Sequence, residues 1–154
     1  VRFGREKTPV VTSESTPFEV GKAYVIKEGA DVTIVACGPM VAEALDAAEE
    51  LAKDGISAEV VNLHTIKPLD EETILTSIKK TGAIVTAEEH QMAGGMGSAI
   101  FEVLMKNNPV PGEQVGINDS FGESGAPREL MEKYGITSKE IIEKAKLVIS
   151  RKNP

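Results

Sequence analysis

The sequence predicts an α/β fold in which a parallel sheet carries helices on both faces. Three short, mainly apolar segments, 32–36, 56–63 and 83–87, are typical of strands that are buried on both sides of a sheet. Stretches with apolar residues three and four positions apart lie between them and indicate amphipathic helices. Because strand and helix alternate at least three times, parallel strands joined by crossover helices are expected.

Chain length and composition favour a single domain. The 154 residues are 41% hydrophobic and 27% charged, which suits one aliphatic core. The formal net charge of −7 disfavours general binding to nucleic acid or to an anionic membrane surface. No apolar run approaches about 18 residues, so we expect no membrane-spanning segment. The single cysteine cannot form an internal disulfide, and a cytoplasmic location is expected.

The first predicted element is an edge strand within residues 17–28, where apolar residues alternate weakly before a turn. The buried strand at 32–36 comes next. A helix over 41–52 follows it, because apolar residues recur there at spacings of three and four, and Gly55 is placed to end this helix. A second strand is expected at 56–63.

The next helix is expected to have Asp70 as its N-cap and to end at Gly82. After the strand at 83–87, a helix over 95–106 and a short strand at 114–117 are expected.

Two helices are predicted to close the chain, over residues 128–134 and 137–150. Thr137 and Glu140 have the spacing of a capping box, in which each side chain accepts a hydrogen bond from the other residue's backbone N–H.

Ligands of open α/β sheets bind beyond the carboxyl ends of the strands, so we expect any functional site at that edge. Both histidines, His64 and His90, fall in loops of this edge, as does most of the glycine clustering. The loops are 37–40, 62–65, 88–97 and 118–120.

The segment 88–97 is the most unusual stretch of the sequence. Gly94, Gly95 and Gly97 would let backbone N–H groups approach an anion at a helix N-terminus. Their spacing is neither a dinucleotide fingerprint nor a P-loop. Glu88 and Glu89 would oppose an anion, and a tight strand-to-helix turn explains the glycines without a ligand. We therefore treat these residues as candidates for an interface or an anion site.

Other candidates rest on weaker signals. His90 could act as an acid or base, although a histidine beside carboxylates is more often structural or part of an interface. Cys37 could be a nucleophile at a strand end or a small, semi-buried apolar residue. The loop 121–127, shaped by two glycines and a proline, could be a docking surface or a simple chain reversal. Arg2 and Arg5 could bind a phosphate that lies outside this domain.

Five phrases, in order and across nearly the whole chain, carry a family resemblance. They are TPFEVGKA at 16–23, VTIVACGPM at 32–40, IKPLD at 66–70, EEH at 88–90 with GGMGSA at 94–99, and FGESG at 121–125.

These phrases resemble the C-terminal domain of transketolases, most closely the compact type that many prokaryotes split into two polypeptides. The resemblance implies a three-layer α/β/α fold with a five-stranded mixed, mostly parallel sheet, whose antiparallel strand lies within 18–26. It also implies that residues 1–16 are a linker from a preceding pyrimidine-binding domain and that residues 17–154 form the C-terminal domain.

Transketolases use thiamine diphosphate and a divalent metal such as Mg²⁺ to move a two-carbon ketol unit between sugar phosphates. The Gly-Asp-Gly motif with which the family holds this cofactor does not occur in the chain, and the family's catalytic glutamate lies on a preceding domain. The resemblance therefore implies a structural and dimerising domain that is inactive alone and whose partners are the remaining transketolase domains or subunit. Arg2 or Arg5 falls where related enzymes contact the substrate phosphate.

Two alternatives stay open at this point. Deoxyxylulose-phosphate synthases and the β subunits of 2-oxoacid dehydrogenases share the domain, although the phrases at 88–90 and 121–125 favour transketolase. A stand-alone module that binds a phosphorylated effector at the turn 94–97 is the alternative from a different functional class.

Overall fold

The computed structural model describes residues 7–152, which form five strands and five helices. The strands are β1 Tyr24–Lys27, β2 Val32–Ala36, β3 Ala58–Asn62, β4 Ile84–Gln91 and β5 Gly112–Ile117. The helices are α1 Met40–Lys53, α2 Glu71–Thr81, α3 Met96–Asn107, α4 Pro127–Lys133 and α5 Ser138–Ser150. None of the helices between residues 7 and 152 combines the length and the apolar character needed to cross a lipid bilayer.

The five strands form one mixed sheet in the order β1-β3-β2-β4-β5. β1 runs antiparallel to β3, and the other three neighbouring pairs are parallel. At the centre of the sheet, Ile34 of β2 pairs with Val60 of β3 and with Val85 of β4. The mixed, mostly parallel sheet and its antiparallel edge strand confirm the predicted fold class.

Helices cover both faces of the sheet and give the molecule three layers. On one face, α1 and α5 pack against Ile34, Val60 and Val85. On the other face, α2 and α3 pack against Val35 and Ile84. Successive residues of a strand point to opposite faces, so both faces of β2 are apolar and all five of its residues are buried.

Two predicted helix ends are confirmed by their hydrogen bonds and backbone angles. Asp70 is the N-cap of α2, and its carboxylate accepts the backbone N–H of Thr73 at 3.2 Å. Gly82 ends the same helix with φ at +69°, a left-handed conformation that glycine adopts without steric cost.

Four of the five predicted strands have different bounds in the structure. The strand predicted at 56–63 spans Ala58–Asn62, the one predicted at 114–117 begins at Gly112, and the other two differ by more residues. The edge strand is confined to β1, because Lys22 N–H bonds to the carbonyl of Glu19 and Gly21 adopts φ of +88°, a turn that precedes the strand. The strand predicted at 83–87 continues to Gln91, so Glu88, Glu89 and Gln91 are not in a loop as expected.

The predicted capping box at the start of α5 is wrong. The Thr137 hydroxyl bonds to the Glu140 carboxylate, and the Thr137 side chain caps no backbone group. The Ser138 N–H instead donates to the carboxylate of Glu43 on α1 at 2.6 Å. A charged acceptor from a neighbouring helix replaces the local hydroxyl, which sequence spacing alone could not indicate.

Candidate functional site

The carboxyl edge of the parallel strands collects the loops that the sequence singles out. His64 follows β3, His90 lies in the last part of β4, and the glycines 94–97 connect β4 to α3. The long exposed loop 118–126 follows β5 at the same edge. The start of β1 lies here too, because Tyr24 pairs with Asn62 at the end of β3.

The start of α3 is capped by a carboxylate from β4. Glu88 is buried, and its Oε2 accepts the N–H of Met96 at 2.7 Å while its Oε1 accepts the N–H of Gly97 at 2.9 Å. The N-cap residue Gly95 has no side chain that could do this. The negative charge also faces the positive end of the helix dipole, which is the favourable arrangement. These two N–H groups are thus already bonded within the protein.

The glycines before α3 permit close approaches that other residues would block. A Cβ on Gly95 would lie 2.5 Å from the carbonyl oxygen of Gln91 and 2.5 Å from Oε2 of Glu88. A Cβ on Gly97 would lie 2.5 Å from Oγ1 of Thr86. Gly94 adopts φ of +77° in the turn itself. The glycine cluster is therefore accounted for by the tight packing of α3 on the end of β4.

The three neighbouring candidates Glu88, Glu89 and His90 differ in their exposure to solvent. Glu88 is buried in the helix cap, whereas Glu89 and His90 are exposed. Nδ1 of His90 lies 2.9 Å from the carbonyl oxygen of Gln91. A carbonyl only accepts, so Nδ1 carries the proton in this hydrogen bond.

His64 lies on the opposite flank of the same edge. Its ring packs on that of Phe18 with the centroids 4.5 Å apart and a 30° tilt, and its Nδ1 lies 3.1 Å from Oγ1 of Thr65. Phe18 is 74% exposed. The stacked pair joins the segment that precedes β1 to the loop that follows β3.

The loop 118–126 is exposed along its whole length yet is held by specific hydrogen bonds. The hydroxyl of Tyr134 donates to the carbonyl of Phe121 at 3.0 Å, and Nζ of Lys133 bonds to the Glu123 carboxylate at 2.7 Å. The N–H of Asp119 donates to the side-chain oxygen of Gln91 at 2.9 Å. The loop phrase that resembles transketolase thus forms a fixed structure at the carboxyl edge.

Of the remaining candidates, Cys37 lies within the described residues. Cys37 is half-buried and packs against the α2–α3 side of the core. Arg2 and Arg5 lie outside the described residues. Within residues 7–152, no three histidine, cysteine, aspartate or glutamate side chains are grouped so that they could hold a metal ion.

An ion pair between a buried glutamate and an exposed lysine was not predicted from the sequence. Glu59 of β3 is fully buried and pairs with Lys80 of α2, which also bonds to Glu28 at 2.6 Å. The hydrogen bonds from Lys80 to Glu28 and to Glu59 raise the pKa of the lysine above its ordinary value. A charged residue within the apolar segment 56–63 is the only sequence signal for this pair.

These features define a three-layer α/β/α domain with a side-chain-capped α3 and exposed aromatic residues at the carboxyl edge of its sheet. The chain belongs to the transketolase C-terminal domain family, which it matches over residues 21–141.

Individual relatives agree with this assignment. The chain is 54% identical over 153 residues to the 6-deoxy-6-sulfo-D-fructose transketolase subunit SqwH of Clostridium sp. (strain MSTE9), which covers 99% of this chain and 48% of that protein. It is 42% identical over 144 residues to the 1-deoxy-D-xylulose-5-phosphate synthase of Heliobacterium modesticaldum, covering 92% of this chain and 22% of that protein.

A solved structure described as "Split gene transketolase, inactive beta4 tetramer" superimposes on this chain with a TM-score of 0.93 at 47% identity. The match covers 97% of this chain and 49% of that one. The chain thus spans about half the length of the SqwH subunit and about half the length of the split gene transketolase chain.

Proposed function

We propose that this chain is the C-terminal structural and dimerising domain of a thiamine-diphosphate-dependent transketolase. The complete enzyme would transfer a two-carbon ketol unit between sugar phosphates, in the cytoplasm and within the pentose phosphate pathway. The observation that carries the proposal is the 54% identity, over 99% of this chain, to a transketolase subunit of about twice the length.

The geometry around α3 supports placing the cofactor elsewhere in the enzyme. A diphosphate needs free N–H donors at a helix start, and those of Met96 and Gly97 are bonded to the buried carboxylate of Glu88. A second negative charge beside this carboxylate would be repelled. The glycine turn therefore does not fit the diphosphate, and the remaining domains or subunit would hold thiamine diphosphate and Mg²⁺.

The same geometry weakens the alternative of a stand-alone module for a phosphorylated effector, because the effector's phosphate would compete with Glu88 for the same N–H groups. A synthase domain is the stronger alternative, since the chain is 42% identical to a 1-deoxy-D-xylulose-5-phosphate synthase. Assays of the complete enzyme for ketol transfer and for 1-deoxy-D-xylulose-5-phosphate formation separate these two functions.

A homo-oligomer is part of the proposal. A solved relative that is 47% identical is described as an inactive "beta4 tetramer". This description supports self-association of the subunit that contains this domain. Sedimentation velocity of the complete enzyme over a tenfold range of concentration tests this point, and a monomer throughout would contradict it.

The cofactor requirement is tested on the complete enzyme that contains this chain. Exhaustive dialysis against a chelator, followed by addition of thiamine diphosphate and Mg²⁺ together or singly, should abolish and then restore ketol transfer. Full activity in the dialysed enzyme, with the cofactor's absence verified by mass spectrometry, would show that the proposed chemistry is wrong.

A further inference from the structure

We propose that Lys152, just after the end of α5, is a latch that joins the two helical layers across the sheet and keeps the end of α2 closed over the buried carboxylate of Glu59. The latch is the side chain of this one lysine, which bonds to the backbone of the opposite layer. It is a property of the domain itself and does not depend on the activity of the complete enzyme.

The ammonium group of Lys152 bonds to two backbone carbonyls. Its Nζ donates to the carbonyl of Thr81, the last residue of α2, at 2.6 Å and to the carbonyl of Asp31, directly before β2, at 2.8 Å. The last carbonyls of a helix lack intrahelical partners and carry the negative end of the helix dipole, so an ammonium group is a favourable donor there. Lys152 therefore caps α2 from 71 residues further along the chain.

The two ends of this contact belong to opposite faces of the sheet. α5 packs on one face through Ile141 and Val148, whereas α2 packs on the other through Ile74 and Ile78. The Lys152 side chain passes from one layer to the other at the edge of the sheet where β2 and β4 begin. Movement of the end of α2 away from the sheet would therefore break its bond to the opposite layer.

The position of the latch is fixed by its surroundings. The backbone N–H of Lys152 donates to the carbonyl of Ile149 at 3.1 Å, and the side chain of Arg151 bonds to Glu113 of β5 at 2.6 Å. A Cβ on Gly82 would lie 3.4 Å from Cε of Lys152, so the lysine stem lies beside the residue that ends α2. Because the lysine is already ordered, little conformational entropy is lost in holding its two bonds.

The end of α2 that Lys152 holds covers buried polar groups. Lys80 pairs with Glu59, and the hydroxyl of Thr81 lies 2.7 Å from that of Thr33. Glu59 and Thr33 are fully buried and lie opposite each other on β3 and β2. Oε1 of Glu59 has no hydrogen-bond partner among the residues that the structure describes. Since an unpaired buried carboxylate oxygen favours hydration, Glu59 favours opening of this end of α2 and Lys152 opposes it.

Amide hydrogen exchange in the complete enzyme, resolved to single residues, tests the latch. The variant Lys152→Met removes the ammonium group and keeps an apolar stem. The N–H of Gly82, which donates to the carbonyl of Ile78 at 2.8 Å, reports opening at the end of α2. We expect this N–H to exchange at least about tenfold faster in the variant, whereas the N–H of Ile74, in the first turn of α2, should change by less than about twofold.

Lys146→Met is the matched control. Lys146 is also an exposed lysine of α5, but its Nζ bonds at 2.7 Å to Asp54, which follows α1 in the same layer. This variant removes the same charge without breaking a bond between layers, so Gly82 should exchange within about twofold of its rate in the unsubstituted enzyme. Unchanged exchange at Gly82 in Lys152→Met would overturn the proposal. Equal acceleration at Gly82 and Ile74 would also overturn it, because it would indicate a general loss of stability.

Carboxyl labelling tests the part of the proposal that concerns Glu59. In the complete enzyme, carbodiimide-driven coupling of glycine ethyl ester, mapped by mass spectrometry, should modify Glu59 at least about threefold faster in Lys152→Met than in Lys146→Met, since a buried carboxylate reacts only when its cover opens. The exposed carboxylate of Glu102 on α3 is the internal reference and should react equally in both variants. Equal labelling of Glu59 in the two variants would show that Lys152 does not control access to this carboxylate.

Discussion

The carboxylate of Glu88 accepts the backbone N–H of Gly97 at 2.9 Å, which ties the end of β4 to the start of α3. The same carboxylate also accepts the N–H of Met96, so one buried side chain satisfies two backbone donors that a helix start leaves unpaired. β4 continues past its apolar segment by pairing with β5, where Gln91 lies opposite Ile117. The contact of Glu88 with the start of α3 explains why the glycine turn has a structural role in this protein.

Replacing Glu88 by alanine should destabilise the domain by about 1–3 kcal/mol, because two buried N–H groups lose a charged acceptor. Urea unfolding followed by circular dichroism measures the effect. Glu102→Ala, an exposed position on α3, is the matched control and should change the free energy of unfolding by no more than about 0.5 kcal/mol. Equal stabilities of the two variants would show that the cap contributes little.

Gly95→Ala should destabilise the domain by about 1–3 kcal/mol, since the new Cβ meets the Gln91 carbonyl oxygen and the Glu88 carboxylate, each at 2.5 Å. The carbonyl is part of the backbone and cannot rotate away. Gly122→Ala is the control, because no heavy atom lies within 4 Å of its Cβ position. Thermal unfolding should show a lower midpoint for Gly95→Ala alone, and a native midpoint would contradict the close packing.

Lys80→Ala should cost more than about 2 kcal/mol, because it leaves the fully buried Glu59 carboxylate without its cation. Lys79→Ala, next to it and exposed, should be nearly neutral. The double variant Glu59→Met with Lys80→Met should recover most of the loss, since removing both charges leaves nothing uncompensated. Urea unfolding measures the stability of the unsubstituted protein, the two single variants and the double variant. A double variant as unstable as Lys80→Ala would show that the unpaired charge of Glu59 is not the cause of the loss.

Asp70 should make the domain more sensitive to acid. Burial by itself raises the pKa of this carboxyl, but hydrogen bonds from the Ala23 N–H and from the Thr73 hydroxyl and N–H outweigh it and hold the pKa below its ordinary value. Since the folded pKa lies below the unfolded one, the stabilisation is present above the unfolded value of 3.8 and is lost as the pH falls through the folded pKa.

The variant Asp70→Asn should therefore lose about 1–2 kcal/mol at pH 7 and approach the unsubstituted protein in stability as the pH falls through the folded pKa of Asp70. Urea unfolding at pH values from 7 to about 2.5 measures the difference between the two proteins. Asp46→Asn, an exposed position on α1, serves as the control. A constant difference across the whole pH range would show that ionisation of Asp70 does not contribute.

The fold was predictable where apolar pattern decides the structure. β2 has the predicted bounds because both of its faces are buried, and α2 begins and ends at Asp70 and Gly82 because a local cap and a left-handed glycine fix its ends. The extension of β4 was not predictable, because its last residues are polar. Gln91 pairs with Ile117 of β5, and Glu88 bonds to the start of α3 eight residues later. Contacts between residues far apart in sequence leave no local pattern.

The candidate site was predictable in place but not in chemistry. The carboxyl edge, the glycine turn and the loop 121–127 all appear where strand order puts them. The spacing of the glycines could not show whether the N–H groups at this turn are free to bind an anionic ligand or are already bonded within the protein. In the structure they are bonded to the carboxylate of Glu88. The burial of Glu59 and the exposure of Phe121 depend on the packing of distant elements, so they too required the structure.

Ketol transfer by the purified 154-residue chain, alone and then within the complete enzyme, tests the central claim most directly. Both samples receive saturating thiamine diphosphate and Mg²⁺ and the same donor and acceptor sugar phosphates. Our account predicts no turnover by the chain alone and clear turnover once the remaining domains or subunit are present. Turnover by the chain alone would contradict the assignment of a non-catalytic C-terminal domain, and no turnover by the complete enzyme would contradict transketolase activity.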